Sequence, residues 1–239
     1  MTNRKIIITT TTGRKLWYEK DLIEMGMEPI LVPTIEIVPI NRDKLTEIIK
    51  DNDYNTLIFH SQYAVKIFIE EYKKFFLPSE LNKINIYSVG KKTCEMLMNY
   101  GVNSIYPKFE FTGDALFNLI KSDGKDNLKI FFPHSKLTDE KYIINYKTLS
   151  ELKNLVVYDN QIPRKIKKIK DFTDIIFTAS STFNNFIKIY GKDILKDKKI
   201  FSIGRITSKA INNAGLKVYK EPKESTIDSL LAEIRGDLL

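Results

Sequence analysis

Tyr54-Asn-Thr-Leu-Ile-Phe-His-Ser61 and Phe172-Thr-Asp-Ile-Ile-Phe-Thr-Ala179 share one pattern, repeated at an offset of 118 residues. Further along, Ile86-Tyr-Ser-Val-Gly90-Lys-Lys-Thr93 matches Ile200-Phe-Ser-Ile-Gly204-Arg-Ile-Thr207, now offset by 114. Gly101 with Gly215, Thr112 with Thr226 and Leu116 with Leu230 keep that register. A repeat of this length is too large for a solenoid unit and argues for two similar half-molecules. Two halves imply a cleft between them, faced by the matching loops of both.

Around these segments the chain reads as strands alternating with helices. Strands are expected at Lys5–Thr9, Thr56–Phe59, Ile84–Val89, Lys129–Phe132, Asp174–Phe177 and Lys199–Ile203. They are short Ile, Val and Phe runs without alternation, as in parallel strands buried on both faces. Helical spacing follows in Tyr63–Phe75, in Lys91–Tyr100 before Gly101, and in Arg205–Ala214 before Gly215. Glycine is favoured just past a helix end. The expected class is α/β: two lobes, each with a parallel sheet flanked by helices.

Two segments interrupt the alternation. Pro33-Thr-Ile-Glu-Ile-Val-Pro39 is extended and bracketed by prolines, and Leu155-Val-Val-Tyr-Asp-Asn-Gln161 precedes Ile162-Pro163. They enclose the first repeat. The economical topology is discontinuous: residues 1–33 plus 162–239 form one α/β domain and 40–154 the other, with 34–39 and 155–161 pairing as a two-stranded β-ladder hinge.

Composition excludes several classes. The 239 residues can bury one large core or two small ones, and 43% hydrophobic with 28% charged residues is globular. Apolar runs are strand-sized, far below the ~20 residues of a spanning helix, and none resembles a signal-peptide core. No membrane is expected, and a cytoplasmic location is the default. One cysteine, Cys94, leaves no internal disulfide and no cysteine-based metal cluster. The net charge of +8 suits a lysine-rich surface or capture of a polyanion. Its densest cluster, Lys165, Lys167, Lys168 and Lys170, has no interleaved aromatic residue, so nucleic acid is not expected.

The common catalytic kits are missing. His60 and His134 stand in unrelated sequence contexts with no i, i+4 partner. There is no Gly-x-Ser-x-Gly elbow, no phosphate-binding Gly-rich loop and no dinucleotide fingerprint. What remains is a ring of small hydroxyls and glycines at the carboxyl ends of strands: Thr9–Thr12, His60-Ser61, Gly90 to Thr93, Pro133-His134-Ser135, Thr178 to Ser181 and Gly204 to Thr207. Ligands of open parallel sheets bind beyond those ends. Free backbone N–H groups at the helix starts make anion sites there. Taken singly, each Ser or Thr can equally be a helix cap; their recurrence in both repeats suits a large ligand with carboxylates on its edge.

At these residues the chain resembles the uroporphyrinogen-III synthase family. The resemblance rests on Leu-Ile-Phe-His-Ser61 with Tyr63-Ala-Val65, on Tyr87-Ser-Val-Gly90-Lys-Lys-Thr93, and on Leu155-Val-Val-Tyr158. Ile176-Phe-Thr-Ala-Ser180, Ser202-Ile-Gly204-Arg-Ile-Thr207 and Pro222…Thr226 complete it. Each motif is degenerate; their order and spacing over nearly the whole chain are specific. The chain departs from the family at Thr10-Thr11, where an arginine is usual, at Pro133-His134-Ser135, where Arg-Gly is usual, and at Ile206 and Ala179.

The resemblance implies a substrate, hydroxymethylbilane, that loses its terminal hydroxyl as water and closes with ring D inverted. It implies no metal and no cofactor, a monomer, and hand-over from hydroxymethylbilane synthase. It places Tyr158 as the catalytic side chain, donating a proton or a hydrogen bond to the departing hydroxyl. Thr10, Ser61, Gly90, Lys91, Thr93, Ser180, Gly204 and Thr207 are the substrate-binding expectations. The alternative is a two-lobed protein that senses a tetrapyrrole or another anion without turning it over.

Overall fold

The computed structural model describes residues 4–13 and 16–238. Residues 1–3 and 239, at the ends of the discontinuous domain expected above, lie outside the described residues, as do residues 14–15. The chain divides into two compact units, Met1–Glu36 with Gln161–Leu239, and Ile37–Asn160. In chain order the strands and helices begin with β1 (Arg4–Thr11), α1 (Glu19–Glu24), β2 (Met27–Pro39) and α2 (Arg42–Asp51). Then follow β3 (Thr56–Phe59), α3 (Gln62–Tyr72), β4 (Asn85–Ser88), α4 (Lys91–Met98) and α5 (Gly113–Ser122). Next are β5 (Lys129–Ser135), α6 (Glu140–Lys147), β6 (Glu151–Gln161), β7 (Asp174–Phe177) and α7 (Ser180–Tyr190). The series closes with β8 (Lys199–Ser202), α8 (Arg205–Asn213) and α9 (Ile227–Gly236). Among the described residues no helix is long and apolar enough to cross a membrane.

The first unit orders its strands β2-β1-β7-β8, all parallel. Its central strand shows why parallel strands read as unbroken apolar runs. Ile6 and Ile8 pack with Leu22, Leu230 and Ile234 on one face, while Ile7 packs with Phe183, Phe186 and Ile211 on the other. Arg4 ties β1 to β7 and to the end of α9, reaching Asp174 at 2.5 Å and Asp237 at 2.9 Å. Burial pushes the Asp237 carboxyl up, but hydrogen bonds from Lys199, Tyr219 and Arg4 outweigh it and hold the group at about 2.

The second unit orders its strands β4-β3-β5-β6, also parallel. Leu57 and Phe59 face a cluster built on α2, α3 and α4, and Ile58 faces one built on α5 and α6. Just past β2, the Ile40 N–H donates to the Val157 carbonyl at 3.0 Å, so β2 ends beside β6.

Aligning the two units by their ladders shows how the repeat is arranged. β3 and β4 correspond to β7 and β8, while β5 and β6 correspond to β1 and β2. The first unit is thus a circular permutation of the second, carrying its last two strands at the front of the chain. The match extends to irregularities. The β1–β2 ladder slips between Thr10 and Thr11, and the β5–β6 ladder slips between His134 and Ser135. In the same register, the Thr12 N–H donates to Ile35 O at 2.7 Å and the Lys136 N–H to Tyr158 O at 3.0 Å.

Three elements differ from the sequence reading. β2 begins at Met27, ahead of the extended segment expected at 34–39. Pro29 and Pro33 interrupt the sequence signal; being four apart, they withhold their donors from the same edge of the strand. β5 runs on through Pro133 and His134 to Ser135, which were expected to lie in the loop beyond it. That proline is tolerated because β3 pairs with β5 at Ile130 and Phe131, before Pro133 is reached. β6 begins at Glu151, four residues ahead of the expected start.

Candidate active site

In the second unit the chemistry gathers where β3, β5 and β6 end. Ser61 caps α3, its Oγ accepting the Ala64 N–H at 3.1 Å. The same oxygen accepts the Tyr158 hydroxyl at 2.8 Å. Tyr158 reaches it because of the bulge: Ser135 opposes Tyr158 where the preceding pair is His134 with Val156. Burial raises the Tyr158 pKa, and hydrogen bonds with Ser61 and Ser135 oppose that rise. The Ser135 Oγ in turn accepts the Leu137 N–H at 3.1 Å. Three hydroxyls therefore stand in sequence, Ser135, Tyr158, Ser61. Ser61 already accepts two donors, so its own proton is the one left to give. Tyr158 is 5% exposed, which places its ring in the core and not in solvent.

Gly90, Lys91 and Thr93 lie at the start of α4, with Gly90 as the capping residue. A Cβ on Gly90 would stand 2.9 Å from the Cβ of Phe111, so space, not backbone angle, demands glycine here. Thr93 is buried beneath the first turn, whereas the exposed Lys91 flanks it and lies 3.9 Å from Glu95. The Thr93 N–H turns back to the Gly90 carbonyl at 3.1 Å, which leaves the Lys91 and Lys92 amides ahead of the first hydrogen bond of the helix.

The first unit repeats the arrangement with different side chains. Gly204 caps α8, and a Cβ there would stand 2.0 Å from Ser225 Oγ. Around it opens a cleft of 290 Å³ lined by Gly204, Arg205, Thr207, Pro222, Lys223 and Ser225, among others. Thr207 is buried, and the charged side chains lining that cleft are Arg205 and Lys223 together with Glu221. Ser180 opens α7, where the cap is Ala179 with no side-chain hydrogen bond. Thr10 is 5% exposed, and its buried Oγ1 has no hydrogen-bond partner among the described residues. The expected anchors thus fall into two sets: Ser61, Gly90, Lys91 and Thr93 with Tyr158 in the second unit, and Thr10, Ser180, Gly204 and Thr207 in the first.

The hydroxyl sequence has no copy in the first unit. By the ladder register Ile35 stands where Tyr158 does, and Ala179 stands where Ser61 does. Both ends of the Tyr158–Ser61 bond are replaced together by apolar residues on an otherwise repeated scaffold.

Some pairings were not visible in the sequence. Ser135 stood in the expected ring of strand-end hydroxyls, but its place opposite Tyr158 did not show. His60 and His134, unrelated in sequence, flank the Phe132 ring, with centroids 4.8 and 4.9 Å from it. Burial and the neighbouring His134 lower the His60 pKa to about 4, against the pull of Asp114. Among the described residues no cluster of His, Cys, Asp and Glu is disposed to hold a metal ion.

Known proteins carry the same plan. Residues 18–232 match the family model described as uroporphyrinogen-III synthase HemD. A protein of Methanocaldococcus jannaschii is 29% identical over 248 residues, covering 97% of this chain and 98% of its own. The uroporphyrinogen-III synthase of Chlorobaculum parvum is 24% identical over 236 residues, covering 90% and 91%. The crystal structure of uroporphyrinogen-III synthetase from Helicobacter pylori shares the fold, with a TM-score of 0.68 at 18% identity over 99% of this chain and 100% of that one.

Proposed function

The chain belongs to the uroporphyrinogen-III synthase family, and from that premise we propose that it is a lyase that cyclises hydroxymethylbilane to uroporphyrinogen III, with loss of water and inversion of ring D. The observation that carries this reading is the Ser135–Tyr158–Ser61 hydroxyl sequence, present in one unit of a repeated scaffold and replaced in the other. A structural device would recur with the fold; a catalytic one is needed once.

The chemistry begins when the terminal hydroxyl leaves. Hydroxide is a poor leaving group, so a donor must stabilise the oxygen as the carbon–oxygen bond breaks. Ser61 supplies that donor, and Tyr158 behind it compensates charge drawn from the serine. With its pKa raised by burial, Tyr158 stays protonated at neutral pH. Its part is to hold and polarise Ser61: the serine gives its proton to the departing hydroxyl, which leaves as water, and takes the phenolic proton of Tyr158 in exchange. The azafulvene left behind is attacked by the substituted carbon of ring D. Fragmentation and reclosure of the spiro intermediate invert that ring, and the proton finally lost from the ring returns to the hydroxyl sequence, restoring Tyr158.

The larger task is geometric. Unaided, the bilane closes to the type I isomer, so the protein must favour the inverted closure by fixing the chain's shape. The first-turn amides of α4 and α8, with Lys91, Arg205 and Lys223 beside them, are suited to grip acetate and propionate groups. The net charge of +8 favours capture of such a polyanion.

The test couples the protein to a hydroxymethylbilane-generating enzyme and porphobilinogen, then resolves the oxidised uroporphyrin isomers by chromatography. Predominantly type III product is expected. Type I alone, from folded protein and fresh substrate, would overturn the catalytic reading and favour a tetrapyrrole-sensing role.

A further inference from the structure

His60 lies just beyond β3, immediately before Ser61, and the reaction outlined above makes no use of it. Its Nε2 is 2.7 Å from the Tyr146 hydroxyl. Tyr146 is fully buried, and a buried phenolic proton needs an acceptor. Burial, with Tyr142 and Asp114 nearby, pushes the Tyr146 pKa up, so the phenol keeps that proton. Nε2 of His60 is the acceptor it meets, so the bond runs from Tyr146 to His60. A neutral imidazole that accepts at Nε2 carries its own proton on Nδ1. The tautomer is thereby fixed by the packing of a residue 86 positions away.

The ring is also held in place. Phe132 and Tyr142 lie against it with centroids 4.8 and 4.9 Å away, the second edge-on. A Cβ on Gly113 would stand 2.9 Å from His60 Cε1 and 2.4 Å from Tyr142 Cε1, so the start of α5 closes tightly over both rings. Yet the imidazole is only half-buried, and its Nδ1–H has no partner among the described residues. An oriented donor of fixed tautomer, left unused beside Ser61, is suited to a ligand acceptor. The equivalent position in the first unit is Thr178, which cannot present a ring donor.

We infer that the Nδ1–H of His60 is a substrate-binding donor of the second unit, taking a carboxylate oxygen of the polycarboxylated tetrapyrrole next to Ser61. The nature of the ligand rests on the proposed activity; the direction of the donor does not. A neutral imidazole gives this hydrogen bond at any pH well above the ring's own pKa.

Nitrogen-15 correlation spectra of the full chain, free and titrated with uroporphyrin III, test this directly. The free protein is expected to show the Nδ1–H tautomer, and the ligand to shift that signal and slow its exchange with solvent. Tyr146→Phe should release the ring into a mixture of tautomers. In steady-state assays His60→Phe should raise KM about tenfold or more while leaving kcat within about threefold, as for loss of a hydrogen bond to a charged group. His60→Asn, whose amide nitrogen overlays Nδ1, should recover most of that loss. An Nε2–H tautomer, a Nδ1 signal indifferent to saturating ligand, or a KM unchanged in folded His60→Phe would each overturn the inference. Should His60→Phe fail to fold, the spectra of the unmodified protein decide it. Wild-type protein that yields no type III isomer would instead bring down the proposed activity, while the tautomer and the uroporphyrin titration still decide the role of His60.

Discussion

Ser61 receives two hydrogen bonds, from the Ala64 amide and the Tyr158 phenol, and retains one proton to donate. Two roles are therefore combined in one hydroxyl, and they can be separated by mutation. Tyr158→Phe removes the polarising partner and leaves the helix cap; turnover should fall about tenfold to hundredfold, with a stability loss of about 1 kcal/mol. Ser61→Ala removes both, so it should cost at least as much turnover and a further ~1 kcal/mol for the lost cap. If the hydroxyls act in sequence, the double variant will be little slower than the slower single one. Multiplicative losses, measured as kcat/KM with denaturation curves alongside, would show that the residues act separately. The sequence exposed Ser61 and Tyr158 because each lies in a motif of its own. It set Ser135 at a strand end but could not pair it with Tyr158, nor expose Tyr146, because those contacts arise from a bulge and from ring packing between distant segments. Local spacing carries no trace of either.

At the scale of elements, the α/β class was legible because parallel strands buried on both faces leave unbroken runs such as Ile6-Ile-Ile8. The permuted correspondence between the units was not. Matching β5 and β6 with β1 and β2 requires comparing ladders, whose bulges align although their residues do not. Prolines 29, 33 and 133 further concealed strand residues, since a proline reads as a break unless its missing donor faces an unpaired edge. The capping glycines of α4 and α8 invite a sharper test. An added methyl at Gly90 meets the Cβ of Phe111 at 2.9 Å, an atom fixed to the backbone, so Gly90→Ala should cost about 1–3 kcal/mol by overpacking. At Gly204 the nearest atom is Ser225 Oγ, which can rotate away or be removed. Gly204→Ala should therefore regain most of its lost stability when combined with Ser225→Ala, whereas trimming Ser225 should do nothing for Gly90→Ala. Thermal midpoints of the five proteins, wild type included, suffice; a rescue of Gly90→Ala by Ser225→Ala would contradict this account.

For the whole molecule, the second unit is one uninterrupted segment, Ile37–Asn160, while the first is assembled from both ends of the chain. The expected outcome is that a 37–160 fragment folds cooperatively by itself. A 161–239 fragment should not, because it lacks β1, which lies inside the sheet order β2-β1-β7-β8. Circular dichroism and urea unfolding of the two fragments would check this, and a structureless 37–160 fragment would contradict it.

Arg4, at the start of β1, bonds to Asp174 across 170 positions of sequence. During synthesis β1 leaves the ribosome long before β7 exists. At roughly 5–20 residues per second, the delay is on the order of ten to thirty seconds. Throughout that interval Ile6, Ile7 and Ile8 have no β7 to pair with and present an apolar edge to whatever is near. A nascent-chain chaperone that shields β1 until β7 has been made would therefore be expected to raise the yield of folded protein.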